Sequence, residues 1–515
     1  SYNGSKSDTS FLIMGNNRTI LSCSFCIVFL AVTVANGDVV SFFNRTSFPK
    51  DFLFGAGIAA YQAEGSPLVD GRGPCIWDEF TKNFPDKIDD KSTGEVTNDF
   101  YHRFKSDINL AKQLGMDSFR FSISWTRIFP RGRITSGVNS NGIKFYNDVI
   151  NEILANGLKP FVTLLHFDPP QALEDEYGGL LSYKIVKDFS EFADFCFKEF
   201  GDRVKNWVTI NEPNIQSWLG YDLGVLAPGR CSSYKGNCPA GDSATEPYIV
   251  GHNLLLCHAT VARWYKEKYQ AKQKGEIGVT VALAWYMPLK NTSDDRLAVS
   301  RALEFNSGWF LHPVTYGDYP ETMRKLVGNR LPKFTKEQSQ ILKASKDFIT
   351  INYYTSYYAY AVPSSNGINS SYSTDGLYSS TGFRNGVSIG VQTATPAFYV
   401  YPKGLYSILN YVKKTYRNPL IYVTENGYAG NATLPISIQV KDGNRINFMK
   451  THLKYISKAI KDGVRVKGYY LWSFADVWEW NSGYTVSFGI IQINRRTLQR
   501  TLKASASWYK RFLLH

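Results

Sequence analysis

The chain has 515 residues, of which 43% are hydrophobic and 20% are charged. A chain of this size and composition can bury a large core, which excludes a protein that is disordered over most of its length. The formal net charge of +14 admits two interpretations, a nucleic-acid-binding surface or a basic surface suited to an acidic compartment or an acidic polysaccharide wall. The basic residues are dispersed and show neither zinc-finger spacing nor an RNA-binding signature, so we expect no nucleic-acid partner.

A short apolar segment near the N-terminus has the features of a secretory signal peptide. It runs from Ile20 to Ala35, follows the basic residue Arg18 and ends in the small residues Thr33–Ala35. Its 16 residues fall short of the roughly 20 that a membrane span needs. A signal anchor is therefore the weaker alternative, and we expect no membrane span in the mature protein.

The signal peptide sets our expectations for domain organisation and compartment. Met14 lies just ahead of it and is interpreted as the natural start, with residues 1–13 upstream. We predict an upstream segment and signal peptide over residues 1–37, and a single domain over residues 38–515. We expect the mature protein to enter the secretory pathway and to reach the extracellular space, the cell wall or the vacuole. Four sequons are candidate glycosylation sites: Asn44, Asn291, Asn369 and Asn431.

Two of the seven cysteines lie in the signal peptide, and the other five follow it. Cys231 and Cys238 enclose a short loop of sequence CSSYKGNC, and an oxidising compartment makes a disulfide between them a reasonable prediction. Beyond Cys23 and Cys26 in the signal peptide, no CxxC pair or Cys/His cluster suggests a metal, so we expect neither a metal nor a cofactor. The remaining three are predicted to be buried free thiols: Cys75, Cys196 and Cys257.

Short apolar runs typical of strands recur along the chain, and amphipathic patterns predict helices between them, for example from Phe100 to Leu114 and from Ile185 to Phe200. Eight strands alternating with helices predict a single (β/α)8 TIM barrel with long βα loops, although the count alone also fits a nine-stranded doubly wound sheet. The stretch from Pro363 to Thr395 is predicted to be an insertion. The predicted strands are Phe52–Phe54, Phe119–Trp125, Phe161–Phe167, Trp207–Ile210, Ile277–Leu283, Phe348–Tyr354, Leu420–Thr424 and Val466–Phe474.

Polar and aromatic side chains collect at the C-terminal ends of these predicted strands. This favours the barrel, because the chemistry of (β/α)8 enzymes lies at that face. Hydrogen-bonding groups beside aromatic planes are typical of a site that binds a sugar. Along the chain the residues are Arg120, His166, Asp168, Asn211, Glu212, Asn352, Tyr354, Glu425, Asn426, Trp472, Glu479 and Trp480.

Two carboxylates, Glu212 and Glu425, directly follow the apolar strands four and seven. A single glutamate at a strand end would more often cap the next helix or pair with a basic group. Two at different strands fit the cleavage of a glycosidic bond, which needs one protonated carboxyl to assist the leaving group and one ionised carboxylate to attack or to activate water. Burial favours the protonated state and a neighbouring arginine favours the ionised state, so different surroundings could supply both.

The sequence resembles glycoside hydrolase family 1, and within it the plant β-glucosidases, from about Arg45 to Tyr509. The matching segments are FLFGAGIAAYQAEG, FRFSISWTRIFP, PQALEDEYGG, VTINEP, INYYTS, LIYVTENG and VKGYYLWSF. The pair TINEP and VTENG, which contain the two glutamates, is highly specific. The resemblance implies a retaining β-glucosidase that hydrolyses O-linked β-D-glucosides of a plant secondary metabolite through a covalent glycosyl-enzyme.

The resemblance also implies a role for each matching residue. Glu212 is similar to the acid/base and Glu425 to the nucleophile. Arg120 and Tyr354 match residues that hold and tune the nucleophile, and Tyr354 also matches a substrate contact. The thioglucosidase branch of the family replaces the acid/base with Gln, so Glu212 implies ordinary O-glycosides. Contacts to the sugar are matched by Gln62, His166, Asn211, Glu479 and Trp480, and the stacking platform is matched by Trp472.

The chain departs from the family pattern at three places. Phe167 replaces the usual Trp after His166. The segment Phe474–Trp478 replaces the usual Leu-Leu-Asp-Asn-Phe, and Ala397 stands where many relatives have Trp in the aglycone cleft. The last two departures predict a reshaped aglycone site, and they leave the identity of the aglycone open.

Several alternatives remain open within this interpretation. A β-diglycosidase or a transglucosidase would use the same two glutamates. A barrel that only binds a partner would be expected to have lost one of them, and both Glu212 and Glu425 are present. The expected partner is a small-molecule β-glucoside. Neither the preference between mono- and disaccharide glycosides nor the oligomeric state follows from the sequence.

Overall fold

The computed structural model describes residues 43–514, and within them eight parallel strands form a closed ring. The ring closes because β8 pairs with both β7 and β1, and β7 pairs with β6. The predicted (β/α)8 barrel is therefore confirmed. The predicted signal peptide over residues 1–37 lies outside the described residues. The strands are β1 (Leu53–Gly57), β2 (Ser118–Ser122), β3 (Lys159–Leu165), β4 (Asn206–Ile210), β5 (Glu276–Pro288), β6 (Phe348–Ala361), β7 (Ile421–Glu425) and β8 (Val466–Trp472).

Helices cover the outside of the ring. The two helices predicted from amphipathic patterns are present, as Phe100–Gln113 and Lys184–Phe200, and each places its apolar residues inward. The helices of seven or more residues are Ile76–Asn83, Phe100–Gln113, Ser140–Ala155, Gln171–Tyr177, Lys184–Phe200, Pro213–Tyr221, Glu246–Tyr265, Ser293–Leu303, Trp309–Tyr316, Glu321–Val327, Lys336–Lys343, Pro402–Thr415, Gly443–Lys461 and Ala504–Leu514.

Several strand ends differ from the prediction. The strand β2 ends at Ser122 rather than at Trp125, because Trp125–Ile128 forms a short helix. The indole of Trp125 stacks on the ring of Phe192, with 5.1 Å between the ring centroids. The strand β8 ends at Trp472. The strands β5 and β6 are longer than predicted because they continue together beyond the ring, where β6 also pairs with the strand Tyr378–Thr381.

Large aromatic side chains fill the barrel at the N-terminal end of its strands. Phe161 lies 5.0 Å from Tyr470 and 5.3 Å from Tyr422, and Phe348 packs against both Phe161 and Tyr422. All four rings are buried, and burying a side chain of this size contributes about 1.5–3 kcal/mol. This layer lies away from Glu425 and Trp472, which are the last residues of β7 and β8.

The stretch predicted as an insertion, Pro363 to Thr395, contains short elements of its own and no domain boundary. The compact unit that includes it spans Asn44–His515. The strand Val391–Gln392 pairs with Tyr399–Val400, which lies just beyond the insertion and returns the chain to β6. The other elements of the insertion are the helix Tyr372–Asp375 and the strands Tyr378–Thr381, Phe383–Arg384 and Val387–Ser388.

The structure joins Cys231 and Cys238 in a disulfide, with 5.5 Å between their Cα atoms. The three predicted free thiols, at Cys75, Cys196 and Cys257, are free and buried. Across residues 43–514, none of the helices combines the length and the apolar composition that a membrane crossing needs.

Candidate active site

Glu212 stands between β4 and the helix Pro213–Tyr221, with its backbone in the left-handed region at φ 46°. Its side chain does not cap that helix, although a cap is what a single strand-end glutamate would more often provide. The carboxyl instead accepts a hydrogen bond of 2.7 Å from the amide of Asn352 on β6. Burial, and then the charge of Glu425, raise the pKa of Glu212 to about 8, so the carboxyl favours its protonated form at neutral pH.

Glu425 is the last residue of β7, and each of its two carboxylate oxygens has a partner. Arg120 on β2 donates to Oε1 at 2.7 Å, and the hydroxyl of Tyr354 on β6 donates to Oε2 at 2.7 Å. Arg120 and Glu425 are both buried, so the guanidinium meets the carboxylate with little solvent screening. The arrangement gives each carboxylate oxygen a donor and so fixes the orientation of the side chain.

Asn211 connects the two glutamates to the imidazole of His166. The second guanidinium nitrogen of Arg120 donates to Oδ1 of Asn211 at 2.7 Å, and the amide of Asn211 lies 3.1 Å from Nε2 of His166. Burial, and then the charge of Arg120, lower the pKa of His166 well below its ordinary value, so the ring is neutral. Because Nε2 accepts from the amide, the ring proton resides on Nδ1, which has no hydrogen-bond partner in the protein.

Gln62, Trp472 and Glu479 form a second hydrogen-bonded group at the same face. Glu479 accepts from the Trp472 indole at 3.1 Å and from the Gln62 amide at 3.2 Å. Burial raises the pKa of Glu479 to about 8. The backbone carbonyl of Trp478 also accepts from the Gln62 amide, at 2.8 Å. Gln62 is thereby fixed with its carbonyl Oε1 buried and without a partner in the protein.

Aromatic planes border these polar groups. The indole of Trp472 lies 5.8 Å from the His166 ring in a stacked geometry, and Trp480 lies 6.0 Å from the same ring. Phe167, the departure from the family pattern, packs edge-on against Trp480 at 5.1 Å. The site therefore combines aromatic surfaces with an unpaired donor on His166 and an unpaired acceptor on Gln62, which suits a ligand rich in hydroxyl groups.

Asn352 belongs to this site; the sequence placed it among the polar residues at the strand ends but gave it no role. The hydroxyl of Thr424 donates to Oδ1 of Asn352 at 2.8 Å, which turns the amide nitrogen towards Glu212 and Asn211. One signal was available in the sequence. Asn352 precedes Tyr354 by two residues on β6, and residues two apart on a strand share a face.

The two aglycone-related departures have different surroundings. Ala397 is exposed, and its carbonyl accepts a hydrogen bond of 2.8 Å from the hydroxyl of Tyr357. The segment Phe474–Trp478 is buried throughout. Phe474 packs on Phe119, and Asp476 pairs with Lys503. Gln62 and Trp472 are buried as well, and the carbonyl of Trp478 accepts from the Gln62 amide, so the expectation that this segment reshapes the aglycone site stays a prediction, as it does for Ala397.

No group of three or more His, Cys, Asp or Glu side chains within residues 43–514 is arranged to hold a metal ion.

A family model, curated proteins and solved structures that are similar to this chain are all glycosidases. The model of "Glycosyl hydrolase family 1" matches residues 44–514. The protein named Beta-glucosidase 12 of Oryza sativa subsp. indica is 52% identical over 475 residues, which cover 92% of this chain and 93% of that one. The isoflavonoid 7-O-beta-apiosyl-glucoside beta-glycosidase of Dalbergia nigrescens is 47% identical, covering 96% of this chain and 90% of its own. Among solved structures, a mutant rice β-glucosidase in a covalent complex with Glc aligns with a TM-score of 0.90 and 44% identity, covering 92% of this chain and 100% of that one.

Proposed function

Because the chain belongs to glycosyl hydrolase family 1 and is an O-glycosyl hydrolase, we propose that Glu212 and Glu425 carry out retaining hydrolysis of β-D-glucosides. The observation that carries these roles is the contrast between their partners. A neutral amide from Asn352 holds Glu212, whereas Arg120 and Tyr354 both donate to Glu425. Burial and the charge of Glu425 raise the pKa of Glu212 and so suit a carboxyl that must give up a proton, whereas the two donors hold the oxygens of Glu425 in place for attack.

The first chemical step forms a glycosyl-enzyme. One carboxylate oxygen of Glu425 attacks the anomeric carbon while the protonated carboxyl of Glu212 transfers its proton to the glycosidic oxygen. The bond between the anomeric carbon and that oxygen breaks, an ester bond to Glu425 forms, and the aglycone leaves as an alcohol. A covalent complex with Glc has been solved for the similar rice β-glucosidase, which supports a covalent route here.

The second step releases the sugar. Glu212, now ionised, accepts a proton from a water molecule whose oxygen attacks the anomeric carbon. The ester bond breaks, Glu425 is released as a carboxylate and Glu212 is protonated again. Two displacements at the same carbon return the β configuration, so the first product is β-glucose.

We assign the sugar to the polar groups beside the glutamates. The unpaired Nδ1–H of His166 and the unpaired Oε1 of Gln62 offer a donor and an acceptor for sugar hydroxyls. Asn211 and Glu479 lie in the same hydrogen-bonded groups, and Trp472 offers a flat apolar surface for the sugar ring. Trp480 completes the aromatic boundary of the site.

For the substrate class, we propose β-glucosides of plant secondary-metabolite aglycones. The small side chain of Ala397 leaves room for a bulky aglycone if this exposed position lines the entrance. A β-diglycosidase is the second candidate. It is favoured by the similarity to the Dalbergia nigrescens enzyme, whose name specifies an isoflavonoid apiosyl-glucoside. A transglucosidase would share the first step and use an alcohol in place of water in the second.

A panel of p-nitrophenyl glycosides followed by plant glycoside extracts tests the substrate class. Preference for the β-D-glucoside, with a single glucose released per aglycone, supports the glucosidase, and release of an intact disaccharide supports the diglycosidase. Product analysis with and without an acceptor alcohol separates hydrolysis from transfer. NMR of the reaction at early times reads the configuration, and α-glucose as the first product would overturn the retaining mechanism.

We further propose that the mature protein passes through the secretory pathway. The apolar segment from Ile20 to Ala35 and the disulfide between Cys231 and Cys238 both support this compartment. A fluorescent fusion that retains residues 1–37 should reach the cell wall or the vacuole, and a fusion without them should remain in the cytosol. Equal distribution of the two fusions would contradict the proposal.

A further inference from the structure

Two phenylalanine rings pack against Tyr354, the tyrosine whose hydroxyl donates to Glu425. Phe398 stacks on the Tyr354 ring at a centroid distance of 5.1 Å and an interplanar angle of 18°. Phe488 meets the same ring edge-on, at 5.7 Å and 79°, and also meets Phe398 edge-on at 6.5 Å. We call these two residues the aromatic bracket of Tyr354. Neither of them contacts Glu425 through a hydrogen bond.

The backbone of Phe398 is fixed on both sides by the strand that carries Tyr354. The hydroxyl of Thr355 accepts a hydrogen bond of 2.9 Å from the backbone N–H of Tyr399. The hydroxyl of Tyr357 donates to the carbonyl of Ala397 at 2.8 Å. Because both anchors come from β6 itself, Phe398 and Tyr354 keep a fixed relation even though Phe398 follows a long insertion.

The backbone of Phe488 is held by residues outside β6. Its carbonyl accepts from the buried guanidinium of Arg445 at 2.9 Å and from the backbone N–H of Ser473, just after β8, at 3.1 Å. Arg445 is itself held by Asp442 at 2.8 Å. The bracket therefore joins the segments that follow β6 and β8 around a single phenol ring.

We propose that Phe398 is a positioning residue that acts through Tyr354 to hold the phenol hydroxyl on Oε2 of Glu425. This inference rests on the proposed role of Glu425 as nucleophile. A tyrosine ring can turn about two side-chain bonds, and a hydrogen bond of 2.7 Å tolerates little displacement of its donor. A stacked ring on one face and an edge contact from Phe488 restrict that rotation. Without Phe398, the phenol gains positions in which it no longer meets the carboxylate.

The test compares four enzymes on p-nitrophenyl β-D-glucoside: the wild type, Phe398→Ala, Tyr354→Phe and the double variant. Loss of one aromatic pair corresponds to a fall in kcat of roughly five- to tenfold. The Ki of glucose as a competitive inhibitor should change little, because no contact of Phe398 involves Gln62, His166 or Glu479. In the Tyr354→Phe background, where no hydroxyl remains to be positioned, Phe398→Ala should cause no further fall in kcat.

Matched variants separate positioning from general packing. Phe398→Tyr keeps the stacked ring and should keep kcat near the wild-type value, whereas Phe398→Leu keeps bulk without the flat face and should lower it. Phe383→Ala is the control, because Phe383 packs edge-on against Tyr399 at 5.8 Å in the same region but does not contact Tyr354. That control should leave kcat unchanged. Melting temperatures of all variants identify any that fail to fold, and Phe398→Leu then replaces Phe398→Ala in the cycle.

The measurements distinguish failure of the positioning role of Phe398 from failure of the proposed function. An equal fall in kcat on removing Phe398 in both backgrounds, or no fall in either, overturns the positioning role. A wild-type enzyme with no activity on any β-glucoside would instead contradict the proposed function, and the cycle could not then be measured. A fall that disappears in the Tyr354→Phe background, with the glucose Ki preserved, supports the inference.

Discussion

The amide nitrogen of Asn352 lies 2.7 Å from Oε1 of Glu212. A neutral group therefore holds the buried carboxyl that the mechanism uses as its proton donor. Glu425, by contrast, is held by the charged Arg120 and the phenol of Tyr354. The proposed proton-donor role of Glu212 thus rests on its burial and on the neighbouring charge of Glu425, which raise its pKa, and the proposed attack by Glu425 rests on two donors that fix both of its carboxylate oxygens.

The first prediction concerns the pH dependence of the wild-type enzyme. Burial raises the pKa of Glu212 to about 8, and a proton donor is present below its pKa and lost above it. The value of kcat/KM for a β-glucoside should therefore decline as the pH rises through this range. A rate that stays level to pH 10 would show that the proton of Glu212 is not required.

The second prediction follows from the hydrogen bond between Asn352 and Glu212. This bond lowers the pKa of Glu212 because it stabilises the ionised carboxylate. Replacing Asn352 with Ala should therefore move the alkaline limb of the kcat/KM profile to higher pH. The control is Asn410→Ala, since Asn410 bonds only within its own helix, to the carbonyl of Tyr406, and its profile should match the wild type.

The third prediction separates the roles of the two glutamates. With Glu212→Ala and an activated leaving group, the glycosyl-enzyme still forms, so added azide should restore turnover and give the β-glucosyl azide. With Glu425→Ala, azide can only attack the substrate directly and should give the α-azide. The configuration of the product, read by NMR, is the measurement. The opposite pair of products would mean that the two roles are reversed.

The fourth prediction concerns aglycone selectivity. Ala397→Trp should lower activity on a glucoside with a bulky aglycone much more than on a small aryl glucoside. One bulky contact in a binding pocket typically changes the ratio of kcat/KM between two substrates by roughly 10–200-fold. The ratio of kcat/KM for the two substrates is the measurement. An unchanged ratio would show that Ala397 does not line the site.

The fifth prediction concerns stability. Lys503 and Asp476 form a buried ion pair of 2.7 Å, and breaking such a pair from one side typically costs about 3–5 kcal/mol. Lys503→Met should therefore lower the midpoint of urea unfolding strongly, and adding Asp476→Leu should restore much of the loss. Lys467→Met, which breaks the exposed pair with Asp51, should change the midpoint little. Equal effects of the two lysine variants would contradict this account.

Much of the fold was predictable because it depends on local patterns. The eight strands were found from short apolar runs, and the helices Phe100–Gln113 and Lys184–Phe200 from their periodicity. The end of β2 was misplaced because Trp125 continues an apolar run while its indole belongs to a helix that packs on Phe192. An apolar run in the sequence does not show which side chain a buried ring such as that of Trp125 will pack against.

The candidate site was predictable where a side chain stands at a strand end, as Glu212 and Glu425 do. Asn352 was placed at a strand end, but its role was not predicted, because its partners Glu212 and Thr424 come from the end of β4 and from β7, and a pairing across the ring is not visible in the sequence around it. The packing of the segment Phe474–Trp478 could not be predicted for a similar reason, because Asp476 pairs with Lys503, which lies on a later segment of the chain.

The central claim is that Glu425 forms a covalent bond to the sugar. A β-D-glucoside that carries fluorine at C2 and a good leaving group should form the glycosyl-enzyme faster than water can release it, because the fluorine slows both steps and the leaving group speeds only the first. Peptide mass spectrometry of the inactivated protein should then find one fluoroglucosyl group, attached to Glu425. A label on Glu212, or an enzyme that turns over the substrate with inversion and carries no label, would contradict the account.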